Sequence, residues 1–224
     1  MAISNNARGS QPGVCTSTTR PTAPYEGQMI YETDTDLTYV WGGSAWQQVS
    51  GGTAVGNSGL VYVGQTTGGS GVTTLTLNNV FSATYNAYRV VVGGGSISAA
   101  ASLSMQVIDS SGTASITQYY ESFIYSAFNG STVLAANTNN GSNFVRAANA
   151  ISSSDCATGA FDLVNPFLSK FTHYYNSANP GGGNGGNSIG YHGVTSSYTG
   201  IKLTSSVASA LTGTIVTVYG YRLG

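Results

Sequence analysis

Residues 28–49 read Gln28-Met29-Ile30-Tyr31-Glu32-Thr33-Asp34-Thr35-Asp36-Leu37-Thr38-Tyr39-Val40-Trp41-Gly42-Gly43-Ser44-Ala45-Trp46-Gln47-Gln48-Val49. Three short runs of β-branched and aromatic residues are separated by two clusters of turn formers, Thr33 to Asp36 and Gly42 to Ser44. That is the pattern of a β-meander, with Tyr39 and Trp41 two apart and so on one face of the middle strand. A unit this small cannot bury both Trp rings alone and needs a partner surface, in copies of itself or in another protein.

The same texture runs through the rest of the chain. Thirty-one Gly punctuate β-branched and aromatic segments across 224 residues, and no long window of Leu, Ala, Glu and Lys suggests a helix. The fold class is therefore all-β. Candidate strands beyond the meander are Leu60 to Gln65, Thr73 to Leu77, Tyr88 to Val92, Ser102 to Ile108, Tyr119 to Tyr125, Ala160 to Val164, Ser169 to Tyr175, Ser188 to Tyr191, Thr199 to Leu203 and Thr214 to Tyr221. Regular short strands without an amphipathic crossover point to a β-sandwich, and a jelly-roll is the expected topology. Upstream of the meander, Pro12, Pro21 and Pro24 lie among Ser, Thr and Gly, which predicts an extended arm. Ser50 to Gly59 has the composition of a flexible linker. The organisation is thus arm and meander over 1–50, linker over 51–59 and sandwich over 60–224.

Charged residues make up 7% of the chain and the formal net charge is −1, so no electrostatic footprint for nucleic acid or anionic lipid is present. Apolar residues at 41%, with 15 Tyr, exclude a solvated disordered tail. No apolar run approaches a membrane span, and Met1 to Gly13 carries no apolar core of a signal peptide. Cys15 and Cys156 have no metal-site spacing and read as two free thiols.

Several short patterns invite a chemical reading. Gly186-Asn187-Ser188-Ile189-Gly190 matches G-x-S-x-G, with His173 or His192 as a conceivable base. The nucleophile elbow it would signal needs a helix after it, however, and Tyr191-His192-Gly193-Val194 is none, so a loop entering a strand explains the pattern better. Pro180 to Gly186 lacks the Lys-Ser/Thr that closes a phosphate-binding loop. Asp34 and Asp36 could share Ca²⁺, although Asp residues in a hairpin turn more often cap backbone amides. Asp155 and Asp162 cannot be paired from sequence as glycosidase carboxylates. Asn129-Gly130-Ser131 and Asn140-Gly141-Ser142 match the glycosylation sequon but read as turns. No catalytic residue, metal or cofactor is expected.

Arg20-Pro21-Thr22-Ala23-Pro24-Tyr25-Glu26-Gly27-Gln28-Met29-Ile30-Tyr31-Glu32-Thr33-Asp34-Thr35-Asp36, with Tyr39-Val40-Trp41 and Gly43-Ser44-Ala45-Trp46, resembles a segment of virion appendage proteins of tailed bacteriophages, particularly marine and cyanobacterial ones. Phe81, Tyr85 and Tyr88 to Val92, with Thr212 to Tyr221, are similar to strands of the jelly-rolls that follow such segments. The resemblance implies a non-enzymatic virion protein, assembled in the host cytoplasm as a homotrimer. Tyr31, Tyr39, Trp41 and Trp46 are the expected assembly and anchor residues. A tail-fibre-like appendage is the leading expectation, with a capsid decoration protein or head fibre as the alternative, and a carbohydrate-binding module as the alternative of another class. Expected partners are further copies of the chain, other virion proteins and a host surface glycan. For the glycan, the segments Asn137 to Asn143 and Asn179 to Asn187 and the rings of Tyr174, Tyr191 and Tyr198 are the candidates, since Tyr can stack on sugar.

Overall fold

The computed structural model describes residues 12–50, 59–127, 129–177 and 184–222. The chain divides into two compact units, Met1–Asn57 and Ser58–Gly224. Every regular element among the described residues is a β-strand.

The first unit is a four-stranded sheet in the order β1-β2-β3-β4, made of β1 (Gly13–Cys15), β2 (Met29–Glu32), β3 (Leu37–Trp41) and β4 (Trp46–Ser50). Strands β2 to β4 are the expected meander. Strand β1 is an addition: within what reads as an arm, Gly13 to Cys15 pair in parallel with Ile30 to Glu32. Three residues have no hydrophobic period of their own, so only this non-local ladder identifies them as a strand. The chain between β1 and β2 is tied to the meander by specific side chains. Asp34 accepts from the Ser17 backbone N–H at 2.9 Å and from its hydroxyl at 2.6 Å. Arg20 donates from Nε to the buried Glu32 carboxylate and lies 4.5 Å from the centre of the Tyr39 ring. Ile30, opposite Tyr39, is 1% exposed. The Arg20–Glu32 and Ser17–Asp34 contacts together form an internal clasp.

The second unit contains β5 (Leu60–Thr67), β6 (Thr74–Leu77), β7 (Ala87–Gly93), β8 (Ser96–Ile97), β9 (Ala101–Ile108), β10 (Tyr119–Ala127), β11 (Val133–Gly141), β12 (Phe144–Ala150), β13 (Gly159–Val164), β14 (Thr172–Asn176), β15 (Asn184–His192), β16 (Gly200–Ser205), β17 (Leu211–Thr212) and β18 (Ile215–Tyr221). An eight-stranded sheet runs β11-β10-β15-β14-β13-β7-β18-β5, a four-stranded sheet runs β12-β9-β16-β6, and β8 pairs with β17. Eight of these strands form two interlocked four-stranded layers, β5-β18-β7-β13 facing β6-β16-β9-β12. Followed along the chain they switch between layers as the two Greek keys of a jelly-roll do. Two hairpins are inserted into that framework. β10–β11 interrupts the passage from β9 to β12, β14–β15 interrupts the passage from β13 to β16, and together they carry the first layer four strands beyond β13.

Period-2 burial fills the space between the layers. Val90 and Val92 of β7, Phe161 and Leu163 of β13, and Val216 and Val218 of β18 meet Leu75 and Leu77 of β6, Leu103 and Met105 of β9, and Ile201 and Leu203 of β16 in one core. Beneath the inserted hairpins Phe144 of β12 takes over: its ring stacks on Tyr174 at 4.3 Å and meets Tyr119 edge-on at 4.9 Å. The sequence reading placed no strand between Tyr125 and Ala160, where the structure has β11 and β12. Val133–Gly141 ends in Asn-Thr-Asn-Asn-Gly and Phe144–Ala150 is mostly small residues, so neither carries a β-propensity signal. Residues 137–141, expected in a loop, thus belong to a strand at the sheet edge.

Candidate functional site

Alternation sorts the inserted strands into an inner and an outer face. Tyr119, Glu121 and Phe123 of β10, Tyr174 and Asn176 of β14, and Ser188 and His192 of β15 point inward and are buried. Tyr120, Ser122, Ile124, His173, Tyr175, Asn187, Ile189 and Tyr191 point outward. Backbone pairing aligns the outer residues in rows across the strands: Tyr120, Tyr191 and His173 in one, and Asn137, Ser122, Ile189 and Tyr175 in the next. Between these rows lies a groove of about 500 Å³. A second depression of about 400 Å³ adjoins it and shares Ser122, Tyr175 and Ile189. The first is within the ~300–1,000 Å³ of small-ligand sites.

One wall of the groove is an aromatic ladder. Tyr191 lies between Tyr120, at 4.8 Å with planes 16° apart, and Phe171, at 5.6 Å and 25°. Its two faces are therefore occupied by protein. Tyr175 is 44% exposed and has no ring partner among the described residues, which leaves a face open to the groove. Around it, the amides of Asn137, Asn139 and Asn187 face solvent and make no hydrogen bond within the described residues. Each amide offers two donors and an acceptor with two lone pairs. The next outward residue of the row beyond Tyr175 is Asp162, whose carboxylate accepts from the Tyr221 hydroxyl at 2.7 Å.

Two of the three expected contact rings are not at this surface. Tyr174 is fully buried, stacked on Phe144, with its hydroxyl accepting from Asn176 Nδ2 at 2.8 Å, and burial pushes its pKa well up. Tyr198 is 4% exposed and packs edge-on to His192 at 5.2 Å. Neither ring can stack on an external sugar. Tyr191 does line the groove, as part of its wall. The ring left off the expected contact list is Tyr175, next to Tyr174 and necessarily on the opposite face. Polarity misleads here, because the neighbours that share the inner face with Tyr174 are Thr172 and Asn176, both polar and both buried. Residues 179–183 of the second expected contact segment lie outside the described residues, whereas Asn187 is an outward residue of β15.

Under the groove burial shifts two titratable groups toward their neutral forms. Burial pushes the Glu121 carboxyl up to about 7, against the lowering effects of the Val145 N–H at 2.7 Å, the nearby Ser188 hydroxyl and Arg146. Burial brings His192 down to about 4, and its Nε2 shares a 2.8 Å hydrogen bond with Ser115 Oγ. The G-x-S-x-G pattern lies within β15, on an extended strand rather than at an elbow. Gly186 and Gly190 are explained by packing: a Cβ at either position would collide with the backbone of β10, and at Gly190 also press on Phe144 at 3.0 Å.

In the first unit, Tyr39, Trp41 and Trp46 share one face. Trp41 and Trp46 are cross-strand partners, edge to face at 5.4 Å and half-buried. Tyr31 is on the other face, its hydroxyl donating to Asp36 at 2.7 Å. Asp34 thus accepts from a backbone amide, but from that of Ser17 outside the hairpin turn, and Asp36 accepts from a side-chain hydroxyl rather than capping an amide. Cys15 and Cys156 are free. No family model matches the chain, and no curated protein matches it.

Proposed function

We propose that the chain is a non-enzymatic structural protein of a tailed-phage virion, anchored through its first unit and presenting the jelly-roll to the host surface as a tail-fibre-like appendage. The observation that carries this reading is the Trp41–Trp46 pair. Two large rings remain half-buried on a four-stranded sheet whose opposite end is already clasped by Arg20 and Glu32. Apolar area left open on so small a unit is stabilised by contact with a partner. In a homotrimer each copy supplies that partner to the next, and the ring pair becomes the centre of the contact.

Native mass spectrometry of the full chain tests this directly. A trimer is expected, with Trp41→Ala or Trp46→Ala shifting it toward monomer. A wild-type chain that stays monomeric at micromolar concentration overturns the anchor reading. A capsid decoration protein or head fibre would use the same unit on a different lattice, and copy number per particle separates the two, since a capsid offers many equivalent sites and a tail few. The groove favours one further reading, a carbohydrate-binding module that acts away from any particle. Such a module would bind glycan without incorporation into virions.

A further inference from the structure

We infer that the groove across β10, β14 and β15 is a binding site for a neutral oligosaccharide, with Tyr175 as the stacking platform and Asn137 and Asn187 as its hydrogen-bonding flanks. A pyranose ring has one face of C–H groups and a rim of hydroxyls, so it needs an open aromatic face beside groups that both donate and accept. Tyr175 supplies the first: it is 44% exposed, lines both depressions and has no ring against it. The two amides supply the second, being solvent-facing and without hydrogen bonds of their own among the described residues. Rigidity is built in. The platform stands on a hydrogen-bonded strand at the sheet interior, between β13 and β15, and the adjoining wall is the Tyr120–Tyr191–Phe171 stack. A preorganised site loses little freedom when a ligand arrives.

Apart from Asp162, whose carboxylate accepts from the Tyr221 hydroxyl, the outward side chains around the platform are phenolic, amide, hydroxyl, imidazole and aliphatic, and a carboxylate beside the platform matches an uncharged ligand better than a sialylated or phosphorylated one. A second copy of the chain is the competing occupant, since Ile124 and Ile189 are exposed beside Tyr175. The unpaired amides weigh against it, because a dry interface between copies would bury them without partners.

This inference rests on the host-facing reading of the sandwich, and it fails separately: a monomeric chain would remove the anchor while leaving solution binding of sugar intact. The full chain is screened against an array of neutral and anionic oligosaccharides, and the best neutral ligand is titrated by calorimetry as the free sugar. Binding in the micromolar to millimolar range is expected, weakened at least tenfold by Tyr175→Ala and several-fold by Asn137→Ala, and largely retained by Tyr175→Phe. Unchanged circular dichroism of Tyr175→Ala shows that the site and not the fold was lost; should that variant unfold, Asn137→Ala and Asn187→Ala, both at exposed positions, read the same site. Absence of binding to every neutral glycan, preference for anionic ones, or full affinity in Tyr175→Ala overturns the assignment. So does a change in oligomeric mass on substituting Ile189→Ser with no effect on sugar binding, which would give the face to a second copy.

Discussion

Tyr174 and Tyr175 show how much one position matters on a strand. The two side chains are chemically identical, and the pleat sends one to the core and the other to water. Tyr174→Ala is expected to cost about 3–5 kcal/mol in urea unfolding, as loss of a buried aromatic does, whereas Tyr175→Ala should stay within about 0.5 kcal/mol. A larger cost for Tyr175→Ala than for Tyr174→Ala would mean that the parity of β14 is reversed. Sequence alone could identify the strand here but not its phase, since Thr172 and Asn176 are polar residues that are nonetheless buried. Glu121 and His192 make a second residue-scale case, because their contributions to stability oppose each other. Glu121 is protonated in the fold up to about pH 7, so its burial destabilises increasingly as pH rises from 4.5 toward 7. His192 is neutral in the fold down to about pH 4, so its burial destabilises increasingly as pH falls from 6.5. Between pH 5 and 6.5 the folded state has gained one proton and lost another relative to the unfolded chain, and stability should be nearly flat. Glu121→Gln removes one side of the balance. Its stability should then fall on acidification through that window by about 1.4 kcal/mol per pH unit. A Glu121→Gln protein as flat as the wild type would show that neither group is shifted in the fold.

At the scale of elements, what was legible came from local patterning. The meander of β2 to β4 could be read because aromatic runs alternate with Thr-Asp and Gly-Gly-Ser turns. The core strands β7, β9 and β18 could be read because their apolar residues recur every second position. Strand β1 could not, since its only support is a parallel ladder to residues some seventeen positions away. Strand β11 could not either, as an edge strand with both faces exposed along most of its length carries no alternation. The groove depends on just these less legible parts: two hairpins far apart in sequence must meet, β10 on β15, before Ser122 and Tyr175 share a row. The clasp of the first unit yields a prediction at this scale. Arg20, through its hydrogen bond, holds the Glu32 carboxyl below its ordinary range. A depressed carboxylate contributes stability above its unfolded pKa of about 4.5 that is lost as pH falls through the lower folded value. Trp fluorescence should therefore report loosening of the first unit only below about pH 4.5, and Glu32→Gln should weaken the clasp and shrink that acid transition to the part due to Asp34, whose carboxyl the Ser17 hydroxyl and N–H also hold low. An acid transition unchanged in Glu32→Gln would assign it to another carboxylate.

For the whole molecule, low charge, a two-unit division and an enlarged jelly-roll sheet form one physical picture. A surface hydrated by Ser, Thr, Asn and Tyr rather than by ions has little long-range electrostatic selectivity, so recognition depends on shape, stacking and hydrogen bonds at short range. The jelly-roll core needs only eight strands. The added four build the platform on which Tyr175 and its neighbours stand, which is where sequence reasoning looked for contact residues without being able to say which tyrosines faced outward. The first unit has the complementary character, a clasped sheet with an open Trp pair. The central claim is that these two surfaces belong to one virion protein, one turned toward the particle and one away from it. It is tested most directly by immunogold electron microscopy of tailed-phage particles purified from lysates in which the chain is produced, using antibodies raised separately against residues 12–50 and 59–222. The account predicts that the chain co-purifies with particles, that antibody to the sandwich decorates an appendage on intact virions, and that antibody to the first unit labels only disrupted ones. Particles that lack the chain altogether, or intact virions labelled by the first-unit antibody and not by the sandwich antibody, would contradict it.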